Sequence, residues 1–185
     1  MPMEENQRIK NTKKRLSEAL TEMLEKIPLR SVSIRELCER AGINRTTFYN
    51  HYGSQYDLFE EISRRYLDGI AVELAAADGN NRESVQERVA KVLHYLEDHL
   101  TLSRLLLNNN IDSGFVERLF ALPKITDLLR SALKDRSDED TRTATISFAL
   151  YGSYRLLLDW INNDDRMSCE QEAVLILGLA RRVCQ

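Results

Sequence analysis

The sequence is short of turn formers: its 185 residues hold only seven glycines and three prolines. Leu, Glu, Arg and Ala are plentiful instead, which favours helix over strand and loop. No segment sustains the alternation a strand needs, and there is no internal repeat or low-complexity tract. No run reaches about 18 apolar residues, so a transmembrane helix is not expected. The opening residues, Met1 to Asn6, lack the apolar run of a signal peptide, and the expected location is cytoplasmic. Cysteine is scarce as well. Cys38, Cys169 and Cys184 are odd in number and widely spaced. None forms a CxxC pair or a zinc-type spacing with His51, His94 or His99. Reduced thiols and no metal are the expectation. A phosphate-cradling glycine loop and the Ser-His-Asp and Cys-His motifs are also missing. Nothing places a nucleophile beside a base, so neither an enzyme nor a cofactor is expected.

The overall charge of −3 does not announce a polyanion partner. Its distribution is less neutral. Residues 1–65 hold 12 Lys and Arg against 10 acids, and residues 66–185 hold 14 against 19. The basic excess is sharpest at Arg8, Lys10, Lys13, Lys14 and Arg15. Screening makes such local charge count for more than the total, although a solvated helix face carries the same residues.

Apolar periodicity predicts helices along the whole chain. Ile9, Leu16, Leu20, Met23, Leu24 and Ile27 share one face of a helix over 7–27, stopped by Pro28. Ser31 or Ser33 caps the next helix, with Glu36 placed to close a capping box on Ser33. Ile34, Leu37, Cys38 and Ala41 line that helix, and Gly42 ends it. Asn44 caps a third helix ending near Tyr52-Gly53, and Ser54 caps a fourth running to about Ala77. Further helices are expected over 82–99, 101–107, 114–134 with a break or kink at Pro123, 139–163 and 168–183. The fold class is all-α, with about nine helices. A three-helix unit over 1–53 precedes a helical body over 54–185.

Two short helices joined by a Gly-bearing turn make a helix-turn-helix. Ile43, Phe48 and Tyr52 anchor the second helix, leaving Arg45, Thr46, Thr47, Tyr49, Asn50 and His51 on its other face. Arg can read guanine, Asn adenine, and a Thr methyl thymine. Tyr49 can donate to a phosphate, which sets register. Ser33 can offer its hydroxyl and adjacent N–H groups to another. By spacing alone, a capped and solvated helix fits these residues equally well.

The segment Val32 to Ile62, VSIRELCERAGINRTTFYNHYGSQYDLFEEI, resembles the tetracycline-repressor (TetR) family. Ala41-Gly42-Ile43, Thr47-Phe48-Tyr49, His51-Tyr52 and Leu58-Phe59 carry the resemblance; the rest of the chain agrees in helix number and order. The resemblance implies a dimeric transcriptional regulator, typically a repressor, on a palindromic double-stranded DNA operator. It implies a base contact for Thr47, a phosphate contact for Tyr49 and a variable readout face at Arg45, Thr46 and Asn50. His51 either touches phosphate or packs. One departure stands out: Gln55 lies where many members place a phosphate-clamping Lys. The Arg8 to Arg15 cluster is a candidate substitute.

The last two helices are apolar almost all round, which calls for burial on several sides. A second copy of the chain is a natural cover, and the resemblance implies a four-helix bundle of these helices. Leu150, Leu157, Trp160, Ile161, Val174 and Leu177 are the candidate dimer residues, with Gly152 and Gly178 allowing close approach. The family usually senses a small molecule in the body. Tyr95, Tyr151, Tyr154 and Arg155 are the candidate pocket residues, Arg155 meeting either an anionic ligand or Asp159. His94 and His99 read as surface residues. The segment FALYGSYRLLLDWINND also resembles a branch of the family in which some members act as coactivators. The alternative function is therefore an adaptor that binds a partner protein.

Overall fold

The computed structural model describes residues 2–75, 84–108, 111–112, 114–125 and 139–184. Nine α-helices have both ends among these residues: α1 (Pro2–Leu24), α2 (Ile34–Ala41), α3 (Arg45–Tyr49), α4 (Gln55–Ala75), α5 (Val85–Asp98), α6 (Leu100–Leu107), α7 (Phe115–Phe120), α8 (Glu139–Asn162) and α9 (Cys169–Cys184). The described residues contain no strand. The chain divides into two compact units, residues 1–66 and 67–185, with the division inside α4.

In the first unit α1 packs on α2, and α2 on α3. Leu16, Leu20, Met23, Leu37, Phe48 and Leu58 are almost wholly buried. Each such side chain contributes about 1.5–3 kcal/mol of apolar burial. Helix α1 stops at Leu24, earlier than its apolar pattern suggests. A short 3₁₀ turn over Leu29–Ser31, unforeseen in the sequence, leads into α2. Ser33 holds the extended N-cap conformation, but its side chain makes no cap bond. The expected capping box does not close, because Glu36 pairs instead with Arg40 at 2.9 Å. At the other end Gly42 adopts φ +59°, and the Ile43 N–H returns to the Cys38 carbonyl at 2.9 Å. That left-handed C-cap favours glycine. Asp57 closes the start of α4, accepting from the N–H of Gly53 at 2.8 Å and of Ser54 at 3.2 Å.

In the second unit α9 packs against both α5 and α8, and α6 against α5, α7 and α8. A full capping box opens α5, with Ser84 and Glu87 satisfying each other's backbone N–H. Arg104 ties α6 to the end of α8, donating to the Ile161 carbonyl at 2.9 Å and Asp164 at 2.7 Å. Helix α7 breaks at Ala121-Leu122, before Pro123, and helix resumes over 123–125. The rest of the helix expected to reach 134 lies outside the described residues.

One polar group in this core is poorly served. Glu172 on α9 is 2% exposed, and its Oε1 has no hydrogen-bond partner. Burial, and then the nearby Asp159, push its carboxyl above the ordinary range. The folded chain therefore binds this proton more tightly than the unfolded chain, and stability falls as pH rises from the ordinary carboxylate pKa to the raised one. Glu172→Gln is expected to raise stability at neutral pH by on the order of 1 kcal/mol. The gain should shrink as pH falls towards about 4. Thermal melts across that range check it; a difference independent of pH would contradict it.

Candidate functional site

Helix α3 is short and held from below. The Asn44 side chain accepts from the Thr46 N–H at 2.8 Å, fixing the first turn. Phe48 is fully buried and meets the Tyr49 ring edge-on at 5.4 Å and the Tyr52 ring at 5.6 Å. With Phe48 down, Arg45, Thr46, Tyr49 and Asn50 point to solvent, and Tyr49 is 52% exposed. They form two adjacent rows at four-residue spacing, Arg45 with Tyr49 and Thr46 with Asn50. Thr47, His51 and Gln55 are half-buried at the margin, Gln55 opening α4. Ser33 is exposed, and its hydroxyl is not spent on a cap. Ile43, an expected anchor, is only half-buried.

The expected basic cluster on α1 is partly used inside the unit. Lys13 donates to Glu61 at 2.8 Å and lies 5.4 Å from the Tyr52 ring centre. Arg15 donates to the Gly42 carbonyl at 3.3 Å, bracing the turn between the two short helices. Lys14 lies 3.7 Å from Glu18. Arg8 and Lys10 remain exposed to solvent. Burial opposes ionisation of Glu61, but Lys13 and Arg65 outweigh it and hold this carboxyl below its ordinary range. Burial, and then Glu61, push the Tyr52 phenol up. Lys13, Glu61 and Tyr52 thus brace the floor of α3, a role that spacing along the chain did not disclose. On the readout side Arg45 enters no ion pair among the described residues and is exposed.

The body holds a cavity of about 170 Å³ among α4, α5, α6, α7, α8 and α9. Among the described residues its wall is apolar, including Ile70, Val89, Leu119 and Phe120, with Ser153 and Tyr154 the polar side chains. Of the four expected pocket residues, only Tyr154 lines it. The Tyr154 hydroxyl is committed to the Leu107 carbonyl. Tyr95 lies against Gly69 of α4, where its ring fills the space a Cβ would need, and against His99 at 4.4 Å. Tyr151 is exposed with its ring against Phe120. Arg155 is exposed and paired with Asp159 at 3.1 Å, the plainer of its two readings.

The candidate dimer residues also separate. Trp160 and Ile161 are buried within their own chain, and the Trp160 Nε1–H donates to the Met167 carbonyl at 2.8 Å. Leu150, Leu157 and Leu177 line the cavity. Among the six, Val174 alone is exposed. The large apolar side chains that α8 and α9 leave uncovered are Phe148, Tyr151, Val174, Leu175 and Leu179. Gly152 and Gly178 are exposed, and a Cβ on either would meet nothing within 4 Å.

A glycine turn between two short helices, an anchored second helix with an open polar face, and a separate helical body define a helix-turn-helix regulator that binds DNA. Residues 16–62 match the family model for bacterial regulatory proteins of the tetR family, and residues 83–182 match a transcriptional regulator C-terminal region. The chain belongs to the TetR family. Its members are DNA-binding transcription factors that act as dimers and are not enzymes.

An uncharacterised HTH-type transcriptional regulator of Bacillus subtilis, YxbF, is 21% identical over 165 residues. The match takes in 84% of this chain and 41% of that relative, so the chain spans about two-fifths of its length. Among solved structures, a TetR transcriptional regulator from Streptococcus agalactiae superposes with a TM-score of 0.72 at 19% identity, covering 100% of this chain and 99% of the other. The dihydroxyacetone kinase operon activator DhaS superposes with a TM-score of 0.59 at 18% identity, over 91% and 93%. At these identities the likeness establishes the fold. No helix among the described residues is long and apolar enough to cross a membrane.

Proposed function

We propose that the chain is a homodimeric repressor that grips a palindromic operator through α3 and is released by a small uncharged ligand. Residues 1–53 act as the DNA-binding head and residues 54–185 as the sensing and dimerising body. The observation that carries the reading is the α3 face, with Arg45, Thr46, Tyr49 and Asn50 exposed over a buried Phe48. Arg45 and Asn50 have the donors to read bases, Thr47 sits at the margin for a thymine methyl, and Tyr49 and Ser33 reach phosphates. His51 and Gln55 flank the strand backbone, where Gln55 donates without charge.

The cavity supports an apolar effector. Among the described residues no charged side chain lines it, so an ion would meet a heavy desolvation cost there. A void of this size matches a single aromatic ring or a short branched hydrocarbon, since a cavity of about 150 Å³ lined by Leu, Ile and Phe takes up benzene.

Arg45→Ala is expected to weaken operator binding by about 1–3 kcal/mol and to relax preference at one base pair per half-site. Anisotropy titrations over single-base operator variants measure this. An unchanged base preference would remove Arg45 from the readout.

A further inference from the structure

Three side chains far apart in sequence meet where α5 and α9 pack together. They are His94 and Glu97, one turn apart on α5, and Cys169, the first residue of α9. A ring nitrogen, a carboxylate oxygen and the sulfur all lie within 4.8 Å of one another. The Cys169 Sγ is 3.6 Å from Glu97 Oε2. Arg166 takes the other oxygen, Oε1, at 3.0 Å, and so turns Oε2 towards the sulfur. On the open side, Glu170 Oε1 stands 2.8 Å from His94 Nε2. Cys169 is buried while His94 and Glu170 are exposed, so the cluster has a floor and a mouth. Seventy-two positions separate Glu97 from Cys169, which is why no local spacing announces the cluster.

We propose that His94, Glu97 and Cys169 form a zinc-class metal site that clamps the start of α9 to α5. The donor set selects the ion. One imidazole, one carboxylate and one thiolate suit a borderline-soft divalent cation, whereas calcium and magnesium take oxygen ligands. With bonds of ~2.0–2.3 Å, tetrahedral ligands sit about 3.3–3.8 Å apart. The widest separation needs to close by about 1–1.5 Å, and the exposed His94 side chain can supply that movement. Arg166 acts as an outer partner that orients the carboxylate. Glu170 is at hand to take the fourth position. Binding breaks the Cys169 S–H bond, forms a sulfur–metal bond and sends one proton to solvent. His94 enters as neutral imidazole, giving up its contact with Glu170. The clamp ties together a helix that lines the cavity and one that carries the exposed apolar face. It stands whether or not the chain binds an operator.

The test titrates cobalt(II), then zinc, into the reduced full chain after chelator treatment. The expected result is a thiolate-to-cobalt charge-transfer band that saturates at one metal per chain and is bleached by zinc, with a higher Tm for the zinc form. Cys169→Ser should remove the band. His94→Gln, a change at an exposed position, should weaken zinc binding at least about tenfold while leaving the circular dichroism intact. Absence of the band in the folded, reduced chain would overturn the proposal. So would a band that survives Cys169→Ser, which assigns the metal to Cys38 or Cys184, or zinc affinity unaltered by His94→Gln. If Cys169→Ser does not fold, the His94→Gln titration decides alone.

Discussion

Phe148→Glu is expected to yield a folded monomer whose operator affinity falls by about 10²–10⁴-fold, the range that joining two binding units supplies. Phe148 is 68% exposed in the single chain, so a charge there costs its fold little. Tyr151, Val174, Leu175 and Leu179 extend the same kind of surface along α8 and the neighbouring α9. Scattered exposed apolar residues are ordinary, but a cluster on two packed helices marks an interaction surface. A glycine in a helix interior costs about 1 kcal/mol relative to alanine. Gly152 and Gly178 nevertheless have open space around them, so packing within the chain does not require them. A partner helix approaching closely would. In the dimer the carboxylate introduced by the substitution would be stripped of water with no partner. Sedimentation shows the mass, and circular dichroism shows the fold. A Phe148→Glu dimer with undiminished operator affinity would contradict the assignment. Gly152→Leu should act in the same direction by filling the approach.

Phe48→Ala is expected to cost about 3–5 kcal/mol, the usual range for emptying a fully buried aromatic site. Whole domains are stable by only about 5–15 kcal/mol. Phe48 is the part of α3 driven into the core, and α3 is only five residues long. Helices that short do not persist in water by their own propensity, so the readout face exists because Phe48 pins it. Denaturant unfolding of the variant checks the cost, and operator binding should fail with it. A loss under about 1 kcal/mol would mean that Phe48 is not the anchor.

The order of helices, the Gly42 turn and the Asn44 cap were legible because each depends on neighbours a few positions away. The α3 face was legible for the same reason: once Phe48 is inward, helical geometry fixes where Arg45, Tyr49 and Asn50 point. What failed depended on distant partners. Glu36 had a capping role open to it, but Arg40 competes for the carboxylate from the next turn. Lys13 read as one cation among five until folding brought it to Glu61, 48 positions away. Trp160 and Ile161 looked like interface because α8 is apolar on every side. Periodicity cannot tell the side facing α6 and α9 from the side left open. Tyr95 and Tyr151 failed as pocket residues on the same ground, and the meeting of His94, Glu97 and Cys169 had no local sign at all.

In the proposed complex α3 of two subunits reads a two-fold DNA site. Footprinting the purified protein on the DNA upstream of its own gene, repeated over a series of salt concentrations, tests it most directly. Two protected half-sites are expected, related by a dyad and about 34 Å or a multiple of that apart. The log affinity should fall linearly with log salt, and the footprint should fade with Arg45→Ala. A single unpaired footprint, or no protection at any salt concentration, would contradict it.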